Sequence, residues 1–272
     1  VTTFHCLTFL TDYGLEDGFV AACHGVSSQI APNARIIDIT HLVPPGDIRR
    51  GALILAQTVP YLPQAVHVAV VDPGVGTKRR GIAVATASGS VFVGPDNGLL
   101  PWAVSASGGA VEAVSLTNRA LWLATDVPAT FHGRDIFTPV AARLISGTPL
   151  ASAGDAVPLD TLVTLPKPAG RVTDGAAYGE VLTVDRFGNV QLSVTGRDAE
   201  LAGVTQGVTI TVSGDRGELT IPFRRAFGDV PVGDLFAYTD SAGYVSIAVN
   251  GGNAATRLGL EPSAPITLRP VT

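Results

Sequence analysis

Apolar and polar residues alternate along this chain in two rhythms. In the first half, short apolar runs are separated by stretches with helical spacing. Residues 4–10 form an apolar run that reads as a buried strand, ending at Thr11-Asp12-Tyr13-Gly14. Asp17 stands where it would cap a helix through Ile30, with Phe19, Val20, Cys23, Val26 and Ile30 on one face. Residues 35–40 are a second strand, ending at His41. Asp47 caps a second helix with Ile48, Ala52, Leu55 and Val59 inward, and residues 66–71 are a third strand. This β-α-β-α-β order predicts a parallel sheet covered on both faces. Strand-like segments follow at 82–86 and 90–93, then a short helix near 99–104, strands near 111–114 and 120–123, and a helix over 135–145.

Beyond residue 154 the rhythm changes. Pro158, Pro166, Pro168 and Gly170 fall in a stretch with no long apolar period, which reads as a linker over 161–175. Short strands with Gly-rich corners follow near 178–185, 189–194, 207–212, 217–221, 235–239, 244–248 and 266–268, with a short helix within 250–258. The expected architecture is an α/β N-terminal domain, 1–160, with a mostly parallel central sheet, plus a smaller all-β, barrel-like C-terminal domain, 176–272.

Composition narrows the classes. The 272 residues are 46% hydrophobic with a net charge of −5, and the one basic run is Lys78-Arg79-Arg80, which argues against a nucleic-acid surface. No apolar run approaches the roughly 18 residues of a membrane span. Cys6 and Cys23 sit in apolar surroundings outside any CxxC pair and read as buried free thiols of a reducing, cytoplasmic compartment. His5, His24, His41, His67 and His132 are scattered without ligand spacing, so no metal is expected. The turn after the first strand, residues 12–18, is not a Gly-x-Gly-x-x-Gly, which disfavours a dinucleotide enzyme.

Ligands of open α/β sheets bind beyond the carboxyl ends of the strands. The residues expected there are Asp12, His41, Asp72, Asp96 and Asn97. Asp72 opens a Pro-Gly turn, Asp72-Pro73-Gly74-Val75-Gly76-Thr77, between two strands. Gly74 and Gly76 permit positive φ or close approach of a ligand. Chemistry alone does not choose between Arg79 and Arg80 as the functional cation of this turn.

Six motifs then occur in order: Thr11-Asp12-Tyr13-Gly14, Asp38-Ile39-Thr40-His41, the Asp72 turn, Gly94-Pro95-Asp96-Asn97-Gly98-Leu99-Leu100, Phe131-His132-Gly133-Arg134-Asp135 and Phe187-Gly188-Asn189. Together they resemble the S-adenosyl-L-methionine (SAM) hydroxide adenosyltransferases, or SAM hydrolases, relatives of the fluorinase and chlorinase, from Phe9 to about Leu258. The resemblance implies attack of water or hydroxide on the ribose 5′-carbon of SAM, giving adenosine and L-methionine, with SAM as substrate and no cofactor. It also implies a homotrimer whose sites lie between the N-terminal domain of one subunit and the C-terminal domain of the next. The water-handling set falls on Asp72, Arg79 and His132. Asp12 matches the carboxylate holding the ribose hydroxyls. Asp17 matches an acid meeting the methionine ammonium, alongside its reading as a helix cap. Asn97 belongs with the substrate-binding positions. Asp185 and Asn189 match contacts to the methionine and adenine sides, Phe187 and Phe227 aromatic walls for adenine, and Ser241 and Asn250-Gly251 the corner near the methionine and adenine edge.

The departures separate two chemistries. The halogenases carry Tyr at Asp72, Thr at Val75 and Tyr at His132, and the fluorinase carries Ser at Gly133 and a long insertion absent here. A carboxylate at Asp72 repels halide, which favours hydrolysis over a SAM-dependent halogenase. A SAM- or adenosine-binding protein with little turnover is the remaining alternative. Ala242 replaces the arginine that follows Ser241 in the halogenases, leaving the grip on the methionine carboxylate open. Full deprotonation of water, pKa 15.7, by a histidine near 6.5 would cost roughly 12 kcal/mol. A proton leaving during attack therefore fits better, with either Asp72 or His132 receiving it.

Overall fold

The apolar runs of the first half become the inner strands of a seven-stranded sheet. The computed structural model describes residues 4–215 and 217–271, and the chain divides into two compact units, Val1–Pro166 and Lys167–Thr272. In the first unit the elements run β1 (Cys6–Thr11), α1 (Phe19–Ile30), β2 (Arg35–Thr40), α2 (Ile48–Thr58), β3 (Val66–Val70), β4 (Gly81–Thr86), β5 (Val91–Pro95), α3 (Pro101–Ala106), β6 (Ala110–Ser115), α4 (Thr138–Ile145) and β7 (Asp155–Ala156). Every residue of β1 and β3 is buried, as expected of strands covered on both faces.

The strand order is β2-β1-β3-β5-β4-β6-β7. The pairs β1–β2, β1–β3 and β3–β5 are parallel, while β4–β5, β4–β6 and β6–β7 are antiparallel. The sheet is therefore mixed, rather than mostly parallel as its first three strands suggest. The reason is connection length. α1 and α2 are long enough to carry the chain back for parallel pairing, whereas the short turn at Gly89 (φ 86°) folds β5 directly onto β4.

Local signals decide the other differences. Asp47 caps α2, its Oδ1 accepting the Arg50 N–H at 2.9 Å. Asp17 does not cap α1, because the helix begins at Phe19 and Gly18 takes the cap position without a side-chain bond. The strand expected near 120–123 is a 3₁₀ turn, Arg119–Leu121, because the Asn118 side chain accepts the Ala120 N–H at 3.1 Å and offers the backbone an alternative to a ladder. A π turn, Gly133–Phe137, leads into α4, with Pro139 in its first turn. Residues at the start of the expected linker are held by the first unit: the Val163 N–H donates to Asp96 Oδ1 at 2.9 Å and Trp102 Nε1 to the Leu165 carbonyl at 3.1 Å.

The second unit contains β8 (Arg171–Thr173), β9 (Ala176–Val184), β10 (Val190–Thr195), α5 (Gly196–Leu201), β11 (Thr209–Gly214), β12 (Gly217–Pro222), β13 (Leu235–Thr239), β14 (Tyr244–Val249), α6 (Ala254–Leu258) and β15 (Pro265–Pro270). Its strands pair antiparallel in the order β12-β11-β15-β9-β10-β14-β13, with β8 on β9. A bridge between Phe223 and Ala237 links the two ends of this order, so the sheet is a nearly closed barrel. Val181, Val190, Leu192, Ile210, Val245, Ile247 and Leu268 fill its core. Among the described residues, no helix is long and apolar enough to cross a membrane.

One buried group ties the first core to pH. His67 on β3 lies opposite Thr8 on β1, its Nδ1 2.8 Å from Thr8 Oγ1, and stacks on Phe92 at 4.6 Å. Burial lowers its pKa from 6.5 to about 4. The unfolded chain therefore binds this proton first, and stability falls as pH drops from 6.5 towards 4. The linkage is about 3 kcal/mol. Urea melts at pH 7 and pH 4 should differ by about this amount more in the wild type than in His67→Gln.

Candidate active site

β3 ends at Val70, and Asp72 leaves its carboxyl end into the Pro-Gly turn. The Asp72 carboxylate accepts two bonds from Arg79 Nε, at 2.9 Å to Oδ1 and 3.0 Å to Oδ2, and a further close contact joins Arg79 Nη2 to Oδ2. The same Nη2 donates to His132 Nδ1 at 2.9 Å. The Asp72 and Arg79 side chains are only 6% and 12% exposed, so their pairing is largely withdrawn from water. Arg79 also lies over the Phe137 ring at 5.2 Å.

The turn geometry makes this meeting possible. The Val75 N–H donates to the Asp72 carbonyl at 3.1 Å, and Thr77 Oγ1 to the Gly74 carbonyl at 2.7 Å. Gly76 has φ 77°, and a Cβ there would lie 2.7 Å from the Ala129 carbonyl oxygen. The turn thus docks on the segment that leads into His132, and only glycine fits. Gly74 keeps negative φ, so of the two glycines only Gly76 uses the left-handed region. Arg80 points into a different pair. Its Nε donates to Asp96 Oδ2 at 2.8 Å and its Nη2 to the Thr161 carbonyl at 2.6 Å. Of the two arginines, Arg79 is the one paired with Asp72. Asn97 is occupied by backbone, donating to the Val71 carbonyl at 2.8 Å and accepting from the Leu99 N–H at 3.2 Å.

A guanidinium donates and cannot accept, so His132 Nδ1 must be bare and its hydrogen sits on Nε2. Burial lowers the His132 pKa below the ordinary 6.5, and the Arg79 charge adds to this, against Asp72 and Asp135. Asp12 reaches the neighbourhood from β1. Its Oδ2 accepts the Gly46 N–H at 2.9 Å, and Gly46 packs towards Pro73. Asp17 lies in an exposed stretch, 15–18. His41 turns to Thr11 Oγ1, at 2.8 Å, and to Asp38. Tyr13 was not marked as a site residue by sequence reasoning. Burial pushes its phenol well above 10, and Cys23, Asp12 and Asp72 push the same way. Its ring meets Phe131 at 5.6 Å and Phe19 at 6.1 Å. The signal was adjacency, since Tyr13 follows Asp12 and Phe131 precedes His132.

In the second unit, Asp185 closes its own hairpin. Its Oδ1 accepts the Phe187 and Asn189 N–H groups at 2.8 and 2.9 Å, and its Oδ2 accepts from Asn189 Nδ2 at 2.7 Å. Phe187 is left 75% exposed at the tip. The Gly188 carbonyl accepts the Ala255 N–H at 3.0 Å, which joins this tip to the start of α6, beside Asn250 and Gly251. Asn250 Nδ2 donates to the Val230 carbonyl at 2.8 Å, and Gly251 has φ 75°. Phe227 packs edge-on against Phe236 at 5.0 Å and Tyr238 at 5.5 Å. Ser241 lies in the β13–β14 turn, at the far end of β14 from Asn250. The fold therefore groups Asp185, Phe187, Asn189 and Asn250-Gly251, and sets Ser241 apart from them along β14.

Residues 7–154 match the profile of the SAM hydroxide adenosyltransferase N-terminal domain, and residues 179–267 match that of the C-terminal domain. The chain belongs to the SAM hydroxide adenosyltransferase family. A protein of Salinispora tropica named (R)-S-adenosyl-L-methionine hydrolase is 56% identical, covering 94% of each chain. A solved structure of an uncharacterized conserved protein from Thermotoga maritima superposes with a TM-score of 0.91 at 37% identity, covering 97% of this chain and 99% of that one. A fluorinase of Actinoplanes sp. is more distant, at 28% identity over 96% of each chain.

At Gly133 a side chain has little room. A Cβ on Gly133 would lie 1.9 Å from Tyr13 Oη, and the Tyr13 ring is itself hemmed in by Phe19 and Phe131. The electrostatics yield a pH dependence. Protonated His132 cannot accept from Arg79. Because its folded pKa lies below 6.5, the contribution of this site to stability is intact above 6.5 and lost as pH falls through the folded value. The acid limb of kcat/KM should therefore have its midpoint below 6.5, and a pH–rate profile reads it directly.

Proposed function

We propose that this protein hydrolyses SAM to adenosine and L-methionine, with Asp72, Arg79 and His132 handling the water. The observation that carries the assignment of roles is the shared guanidinium: Arg79 bonds both the Asp72 carboxylate and His132 Nδ1. The sulfonium makes methionine a neutral leaving group, so attack needs a positioned water more than a strong base. As the water oxygen bonds to the ribose 5′-carbon, the C–S bond breaks and its electron pair goes to sulfur. The attacking water becomes strongly acidic during this step, and a carboxylate suffices to take its proton. Asp72 is that acceptor, because its oxygens keep acceptor capacity beside the Arg79 bonds. His132 orients through Nε2–H. It takes a proton at Nδ1 only if Arg79 lets go.

Asp12, Asp17 and Asn97 are proposed to serve the ribose and methionine side, with Asp12 supplying two oxygens for a diol. Asp185, Phe187, Asn189, Phe227, Ser241, Asn250 and Gly251 are proposed to complete the adenine and methionine contacts from the second unit of a neighbouring copy in a homotrimer. The strong exposure of Phe187 supports this, since a bare aromatic tip suits a partner surface. The Salinispora relative is named for the (R) sulfonium epimer, and that epimer is the proposed substrate.

The decisive assay offers each SAM epimer in chloride-containing buffer and resolves the nucleosides. Adenosine from the (R) epimer is expected, and 5′-chloroadenosine would overturn hydrolysis. Asp72→Asn should lose about 10²–10⁴ in kcat. His132→Asn keeps an acceptor for Arg79 and should lose less; equal losses would move the proton to His132. Co-expression of Asp72→Ala with Phe187→Ala should restore about a quarter of wild-type activity if sites lie between subunits of a closed oligomer, and none if each chain holds its own site.

A further inference from the structure

α1 and the end of β2 bring together three groups that the proposed reaction does not use. His24 Nε2 lies 2.9 Å from Asp38 Oδ1, and His41 Nε2 lies 3.1 Å from the same oxygen. The three donor atoms all fall within 4.8 Å of one another. We infer that His24, Asp38 and His41 form a binding site for one transition-metal dication of the zinc class.

The strongest sign is His41. Its ring is only 4% exposed, and its Nε2 has no hydrogen-bond partner although it faces the Asp38 carboxylate. The contact is short enough for a hydrogen bond but wrongly angled for one. Buried polar atoms are almost always satisfied, so a nitrogen left in this state asks for another partner. Its other nitrogen, Nδ1, lies 2.8 Å from Thr11 Oγ1, which also accepts the Tyr13 N–H at 3.2 Å. That is the outer-shell pattern of a ligating imidazole: the remote nitrogen hydrogen-bonded and the near one free. The His24 ring is oriented by Phe9 at 5.3 Å. The His24 and Asp38 side chains are 30% and 41% exposed, which leaves an entry path and room for a water ligand.

The donor set chooses the metal. Two imidazoles and one carboxylate suit zinc, cobalt or nickel, whereas calcium and magnesium need mostly oxygen ligands. Bonds of about 2.0–2.2 Å separate tetrahedral donors by about 3.3 Å. The observed 2.9 and 3.1 Å fall a few tenths short, and small rotations of the two partly exposed side chains open that gap. The sequence hides the site because its residues are spread over α1 and β2 with no recognisable ligand motif. A metal here acts on the frame: Thr11 precedes Asp12, and the His41 carbonyl accepts the Gly14 N–H at 2.8 Å. It would steady the segment that carries Asp12 and Tyr13, away from the Asp72 set.

The test uses the untagged full-length protein, stripped with chelator and titrated with Co²⁺ and then Zn²⁺. One Co²⁺ per chain is expected, with the visible bands of a four-coordinate ion, displacement by one equivalent of Zn²⁺, and a Zn²⁺-dependent rise in Tm. His24→Ala and Asp38→Asn, at partly exposed positions, should each weaken Co²⁺ binding at least about tenfold while keeping the far-UV circular dichroism of the wild type. No saturable binding overturns the proposal and leaves the three side chains as an ion-pair cluster. Binding that survives unchanged in both variants also overturns it, by assigning the ion to other histidines.

Discussion

One guanidinium organises the candidate active site. Arg79 holds both oxygens of Asp72 and the bare nitrogen of His132, so three side chains from two chain segments become one unit. A guanidinium only donates, so the Asp72 carboxylate and His132 Nδ1 both serve as its acceptors. The proposed roles rest on this arrangement: a carboxylate that accepts and an imidazole that orients. The arrangement depends on Gly76, because only there can the turn lie against Ala129 and deliver Arg79 to His132.

The surrounding fold serves this meeting. β1 and β3 are buried along their whole length and bring Asp12 and Asp72 to one sheet edge. β4 then returns antiparallel, which separates the neighbouring arginines: Arg79 turns to Asp72 and Arg80 to Asp96. Asn97 ties the segment after β5 back to the Val71 carbonyl. The π turn after His132 belongs to the same scheme, since such turns often accompany functional positions and this one starts beside a proposed orienting residue.

Much of this was legible in advance, and the reason differs by element. β1, β2, β3, α1 and α2 follow from apolar spacing, and Asp47 from its position before an apolar helix. Asp12, Asp72 and Asn97 could be placed at strand ends by topology alone. The six motifs in register pointed to the family that the profile matches support. The cap expected from Asp17 failed because one residue of offset at a helix start is below what spacing resolves. The strand expected near 120–123 failed because Asn118 offered the backbone a nearer bond.

The chain by itself determined residue chemistry, most of the order of strands and helices, and the division into an α/β half and a barrel-like half, because these rest on local periodicity and on short-range turn chemistry. Tertiary structure alone decided that the first sheet is mixed, that Arg79 rather than Arg80 meets Asp72, that His132 presents Nε2–H, that Gly133 makes room for Tyr13, and that His24, Asp38 and His41 converge. Each of these depends on distances between residues far apart in sequence, or on which way adjacent side chains point, and neither is encoded in spacing along the chain.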